Sequence, residues 1–213
     1  MTRIAVFGGT GFAGGHIVEN AVGRGHEVIS YSRSVPATTI EGVEYRTGSI
    51  ADADTVKQAV ADADVVISAV APRGDMEGAV APAIAQLAEA ARAAGTRIGV
   101  IGGAGSLHVS EGGPRVLDSG FPEAFKAEAL EMTDVLEALK ASPEDLDWFF
   151  ISPAGGFGAF NPGEAKGTYR LGGDVLLVDE DGESFISGAD LALAIVDEIE
   201  APKHHRKRFT VAY

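Results

Sequence analysis

The sequence predicts an α/β fold: a doubly wound, mainly parallel sheet flanked by helices. Three observations predict it. The chain opens on a short apolar run, Ile4 to Phe7, that enters a glycine-spaced turn. Apolar runs then alternate with helical patterns along the chain, as a parallel sheet requires. Several runs, such as DVVISAV at Asp64 to Val70, read as fully buried strands, covered on both faces.

The elements follow in order. Glu27 to Tyr31 is the second strand and Val43 to Arg46 a short third. Asp52 to Val60 is a helix with Asp52 as its N-cap. After the strand at Asp64 to Val70, an Ala-rich helix runs from Gly78 to Ala94 and is closed by Gly95. Arg97 to Ile101 is the fifth strand, Glu123 to Ala141 a long helix, and Trp148 to Ile151 the sixth strand. Val175 to Val178 and Phe209 to Tyr213 are late strands, separated by a helix over Ser187 to Ile199. The length of 213 residues suits a single domain, 1–213, in which residues 153–186 form substrate-side loops.

The start of the chain carries the chemistry. Strand, Gly8-x-x-Gly11-x-x-Gly14, helix and second strand form the Rossmann-type context of a dinucleotide site. Gly8 permits the tight turn, Gly11 lets backbone approach a pyrophosphate, and Gly14 lets the helix pack against the strand. The helix N-terminus offers free N–H groups to phosphate. At the end of the second strand, where an NAD site carries Asp or Glu, the chain reads Ser30-Tyr31-Ser32-Arg33-Ser34. Arg33 suits a ribose 2′-phosphate, with Ser32 and Ser34 as hydroxyl donors. NADP(H) is therefore expected over NAD(H). Ligands in open α/β sheets lie beyond the carboxyl ends of the strands. That rule nominates the Gly8–Gly14 loop, Ala69 to Arg73, Gly102 to Ser106 and Ser152 to Gly156.

Bulk properties narrow the class. Hydrophobic residues make up 46%, enough for a core, and no run approaches a membrane span. Without cysteine, disulfides and thiolate metal sites are excluded. The net charge of −14 argues against nucleic-acid binding. A cytoplasmic protein without signal peptide is expected. The basic run Lys203 to Arg208 reads as a charged turn.

TGFAG, the Arg ending strand two, ISAVAP, the Gly-Gly-Ala-Gly-Ser turn, LDWFFISPA, RVLDSGFPEAFKAEAL and the closing RFTVAY carry a resemblance. The chain resembles the atypical short-chain dehydrogenase/reductases. Within them it looks like the NAD(P)H-binding group of NADH-flavin reductase-like proteins, related to biliverdin reductase B and to NmrA-like NADP sensors. The resemblance implies that Gly8, Thr10, Gly11, Phe12 and Gly14 line the pyrophosphate and Arg33 takes the 2′-phosphate. It places Ser49 and Ile50 beside adenine, Ala69 and Val70 under the nicotinamide ribose, and Ser152, Pro153 and Ala154 at the nicotinamide. Gly103 belongs to the same cofactor set. Arg73 faces substrate, pyrophosphate or solvent.

The superfamily's YxxxK pair is absent. None of Tyr31, Tyr45, Tyr169 and Tyr213 has Lys four residues later, and Phe125 stands where close relatives carry Tyr. A phenyl ring donates no proton. Hydride transfer to a flavin survives this loss, because it is chiefly a task of positioning two flat rings. The expected function is thus an NADP(H)-dependent oxidoreductase acting on a flavin or quinone-like planar acceptor. The alternative is a non-catalytic NADP(H) sensor. Ser106, Lys126 and His108 are the candidates for assistance, each with a plainer reading as a turn, helix-start or loop residue. Phe125, Phe157 and Phe160 form either an aromatic wall or core packing. The superfamily often forms homodimers through long helices, and no metal site is expected.

Overall fold

The computed structural model describes residues 1–213. The elements are β1 (Arg3–Phe7), α1 (Phe12–Gly23), β2 (Glu27–Ser32), β3 (Val43–Thr47), α2 (Ala53–Asp62), β4 (Val65–Ser68) and α3 (Val80–Ala94). They continue with β5 (Arg97–Ile101), α4 (Lys126–Lys140), β6 (Trp148–Pro153), β7 (Arg170–Gly172), α5 (Gly188–Glu200) and β8 (Lys207–Ala212). One eight-stranded sheet has the order β3-β2-β1-β4-β5-β6-β8-β7. Every pairing is parallel except β7 with β8. The doubly wound fold expected from the sequence is the one observed. No helix is long and apolar enough to cross a membrane.

The continuous apolar strands are explained by helices on both faces. Along β6, Trp148 and Phe150 pack with Val56, Leu87 and Leu136 against α2, α3 and α4. The alternate residues Phe149 and Ile151 pack with Ile17, Val18 and Ile195 against α1 and α5. Successive strand side chains point to opposite faces, so a strand covered twice has no polar position to spare. Each fully buried aromatic or aliphatic chain here contributes about 1.5–3 kcal/mol.

Helix ends follow local chemistry. Asp52 caps α2, its Oδ1 accepting from the Thr55 N–H at 2.7 Å. This bond holds the Asp52 carboxyl below its ordinary pKa. Asp52→Ala is expected to lower the urea midpoint, whereas Asp52→Asn, which keeps an acceptor oxygen, retains most of it. Near α3, Gly78 N–H and Ala81 N–H donate to the two Glu131 oxygens at 2.7 and 2.9 Å. A carboxylate from α4 thus serves the α3 start, which falls at Val80 rather than Gly78.

Two expectations are corrected. The late strand at 175–178 does not form; the edge strand is Arg170–Gly172, paired to Thr210–Ala212. The reason is tertiary: His108 N–H donates to Asp174 O and Leu176 N–H to His108 O, both at 2.8 Å, so the loop after β5 takes this segment's hydrogen bonds. The helix expected from Glu123 begins at Lys126, after one 3₁₀ turn over Glu123–Phe125 that follows Pro122. The basic run at Lys203 to Arg208 is the turn that leads into β8, as expected, with Lys203, His205 and Lys207 exposed, but two of its side chains also staple it to the fold. Arg206 donates to the carbonyls of Ser142, Pro143 and Leu146, and His204 Nδ1 lies 2.7 Å from Glu198 Oε2.

β1 stands between β2 and β4, and the chain winds away from it in opposite directions. The loops leaving β1 and β4 diverge there and open a crevice at the carboxyl edge of the sheet.

Candidate functional site

The crevice begins at the glycine loop. Gly8 has a φ of 78°, a left-handed conformation that a side chain would strain, and its N–H donates to Tyr31 O at 3.0 Å. Gly8 O accepts from Gly11 N–H at 2.9 Å, which closes the turn. Gly14 lies under this turn, and a Cβ there would sit 2.1 Å from Gly8 O. The loop and α1 can approach this closely only with a bare Cα.

This packing leaves the α1 N-terminus open. Gly11 is the N-cap and offers no side chain, and the first turn carries no acidic residue. The N–H groups of Thr10, Phe12 and Ala13 have no acceptor within the protein. Free donors, the positive end of the helix dipole and no competing carboxylate together form a cradle for a phosphate group. These residues suit a dinucleotide pyrophosphate.

Two cavities extend from the cradle. The smaller, about 250 Å³, is bounded by Gly8, Thr10 and Gly11, by Tyr31, Ser32 and Arg33 at the end of β2, and by Ser49 and Ile50 after β3. Ala69, Val70 and Arg73 close its far side. The Arg33 side chain is exposed, with Nη1 3.2 Å from Asp75 Oδ2. A pair in so much water is weak and exchangeable. Ser32 donates its hydroxyl to Ser34 O at 2.7 Å, and Ser34 itself lies outside the cavity lining.

The larger cavity, about 580 Å³, shares Gly11, Ala69, Val70, Ala71 and Arg73 with the smaller one. Ile101 to Gly105 after β5 and Pro153 to Gly155 after β6 line it further. Its walls are aromatic. Phe12 meets Phe157 with ring centroids 5.5 Å apart, and Phe125 stacks on Phe160 at 6.2 Å. Phe121 and Met132 complete the apolar lining. Of the two readings of Phe125, Phe157 and Phe160, the wall is the one observed.

Most of the residues named from the sequence converge on this crevice: Gly8, Thr10, Gly11, Phe12, Ser32, Arg33, Ser49, Ile50, Ala69, Val70, Arg73, Gly103, Pro153 and Ala154. Gly14 acts from beneath. Ser152 is a correction. Its side chain is fully buried inside the sheet, and its carbonyl accepts from Thr210 Oγ1 at 2.8 Å.

The three candidates for assistance are corrected as well, since none lines the cavity. Ser106 ends a 3₁₀ turn and accepts from Arg208 Nη1 at 3.0 Å, while Arg208 Nε also holds Asp174 at 2.7 Å. Its role is to tie the loop after β5 to β8. His108 Nδ1 is 2.7 Å from Gly113 O, within its own loop. Lys126 Nζ pairs with Glu123 at 3.5 Å on the outer surface of the helix start.

One charged residue at the site was not foreseen. Glu128, in the first turn of α4, binds Arg73 with both oxygens, Nε at 2.5 Å and Nη2 at 3.0 Å. The Arg73 guanidinium also lies 5.9 Å from the Phe125 ring centroid. The signal for Glu128 was its spacing: Phe125, Glu128 and Met132 are three and four residues apart, hence on one helical face.

The comparisons with known proteins agree with this geometry. A family model described as NAD(P)H-binding matches residues 8–202. A crystal structure from Burkholderia pseudomallei, named "Putative exported protein", is 40% identical, covers all of both chains and superposes with a TM-score of 0.87. A "putative epimerase" from Bacteroides thetaiotaomicron is 34% identical over 99% of this chain and 96% of its own, with a TM-score of 0.88. A "putative NADH-flavin reductase" from Streptococcus pneumoniae is 35% identical over 100% of this chain and 99% of its own, with a TM-score of 0.84. The three names differ while the fold is common. The chain belongs to the NAD(P)H-binding family, with the Rossmann-type fold of short-chain dehydrogenase/reductase-like oxidoreductases.

Proposed function

We propose that the protein is an NADPH-dependent reductase that passes a hydride to a flavin or a similar planar acceptor. The observation that carries this reading is the composition of the larger cavity. Its lining holds no Tyr, Ser, Thr, His or Lys, and Arg73 and Glu128 are its ionisable residues. Reduction of a ketone by the superfamily's usual route needs a protein acid at the carbonyl oxygen. A flavin spreads the incoming charge over its own ring system and takes its proton from water.

Bound in the crevice, the nicotinamide supplies the hydride; overall, NADPH, a proton and oxidised acceptor give NADP⁺ and reduced acceptor. The residues of this chain do the positioning. Ala69, Val70, Pro153 and Ala154 offer small apolar surfaces against which a flat ring can lie. The Phe12–Phe157 and Phe125–Phe160 pairs hold a second flat ring and exclude water from between the two. Arg33, with no carboxylate at the end of β2, supports NADPH over NADH.

Fluorescence titration with NADPH and NADH, followed by addition of FMN, tests the reading. NADPH is expected to bind more tightly than NADH. Arg33→Ala should weaken NADPH by about tenfold, as loss of a charged hydrogen bond predicts, with little change for NADH. FMN should then drive oxidation at the nicotinamide absorbance band. Tight NADPH binding with no oxidation across flavins and quinones would instead make the protein an NADP(H) sensor.

A further inference from the structure

We infer that the acceptor carries an anionic group, a phosphate or carboxylate, and that Arg73 is its anchor while Glu128 holds that place in the free protein. The inference rests on the reductase reading above and names the acceptor class more closely.

Four observations lead to it. First, Arg73 and Glu128 are the ionisable side chains of the cavity, and with the α1 N-terminus given to the cofactor pyrophosphate, Arg73 is the cation left for an acceptor. Second, the guanidinium is only partly used. Nε and Nη2 face Glu128, whereas Nη1 donates to nothing in the protein. An arginine presents five N–H donors in a planar fork, and the two-oxygen grip on Glu128 is the geometry with which it binds carboxylate or phosphate.

Third, the pair is poised for exchange. The Arg73 side chain is 58% exposed and that of Glu128 25%, so water and an incoming anion can reach the pair. Glu128 sits in the first turn of α4, so after release it still faces the positive end of that helix. An anion that offers the same two oxygens thus replaces the Glu128 bonds with like ones. Fourth, the chain carries a net charge of −14, which repels anions in general. An anionic acceptor needs a local cation at the cavity mouth, and Arg73 supplies it. Its guanidinium over the Phe125 ring stays aligned with the aromatic wall, where the planar part of the ligand would lie.

FMN and riboflavin test this directly, because they share the isoalloxazine ring and differ by the phosphate. Each flavin is titrated by fluorescence against the protein loaded with NADP⁺, and steady-state KM and kcat are measured with NADPH. Wild-type protein should favour FMN by about tenfold in both Kd and KM. Arg73→Gln should bring that ratio close to one, acting on KM more than on kcat. Glu128→Gln, which removes the internal competitor, should raise the ratio above wild type.

Equal affinity for the two flavins in wild type would overturn the inference, as would a preference that survives Arg73→Gln. So would Arg73→Gln raising the Kd of NADPH while leaving the flavin ratio intact, since Arg73 would then serve the cofactor. Failure of both flavins to bind would also overturn it. An FMN preference in binding that Arg73→Gln abolishes, without NADPH oxidation by either flavin, would uphold the anchor and reject the reductase reading.

Discussion

Gly14→Ala is expected to lose NADPH affinity by about tenfold or more and to lower stability by about 1–3 kcal/mol. The added Cβ would lie 2.1 Å from Gly8 O, 2.7 Å from Gly8 C and 2.9 Å from Gly9 Cα. All three are backbone atoms of the turn, so no side chain can swing aside. Either α1 backs away from β1 or the Gly8–Gly11 turn opens. Both movements shift the Thr10, Phe12 and Ala13 donors from the phosphate position. Gly15→Ala is the control. A Cβ there would meet its nearest neighbour, Gly9 O, at 3.9 Å, an ordinary contact. Within a helix that change should raise stability by about 0.5–1 kcal/mol and leave NADPH binding alone. Thermal unfolding and NADPH titration of the two variants side by side check the pair. Equal behaviour of the two would refute the close-packing role of Gly14.

Glu198→Ala is expected to be the largest loss of stability, about 3–5 kcal/mol. Glu198 on α5 is 5% exposed and is fully satisfied. Its Oε1 accepts from Arg97 Nη2 at 2.7 Å, Lys203 N–H at 3.0 Å and His204 N–H at 2.9 Å. Arg97, at the start of β5, is also buried, with its guanidinium 4.7 Å from the Phe149 ring centroid. Removing Glu198 leaves that charge without its main partner and frees two backbone donors. The double variant Arg97→Met/Glu198→Leu should recover part of the loss, because no unpaired charge then remains.

The pair also sets an acid limit. Burial pushes the Glu198 carboxyl up, but the Arg97 hydrogen bond and the His204 and Lys203 N–H groups outweigh it, and the net pKa lies below the ordinary glutamate value. A depressed folded-state pKa means the contribution is complete above the unfolded value, roughly 4.3, and is lost as pH falls through the folded one. Urea denaturation of wild type and Glu198→Ala should therefore show a gap that is constant at neutral pH and narrows in acid. A gap independent of pH throughout would reject the ionic account.

The central sheet-forming runs were legible because each strand covered by helices on both faces had to be apolar on both or fail to pack. The same holds for the nucleotide cradle: glycine spacing, strand before and helix after are local, and Gly8, Gly11 and Gly14 act through their own backbone. Asp52 as a helix cap is equally local, accepting from an N–H three residues ahead. What the chain could not announce were pairings between segments distant in sequence. The 175–178 run has strand-like residues, yet its hydrogen bonds go to His108, some seventy residues away. Of the chemical candidates, Ser106 was lost to such a distant partner, while His108 and Lys126 are engaged within their own loop and helix start. Ser106, His108 and Lys126 are suitable side chains near the right strand ends, but Arg208, Gly113 and Glu123 claim them.

Sequence alone thus determined the α/β architecture, the dinucleotide turn and the absence of the YxxxK pair, since each depends on residue type at short spacing. Tertiary structure decided which side chains meet at the second cavity. It joined Arg73 after β4 to Glu128 on α4 and closed four phenylalanines from two loops and α1 around them. Side-chain orientation is set by packing across the sheet, and that packing exists only once the distant segments have come together.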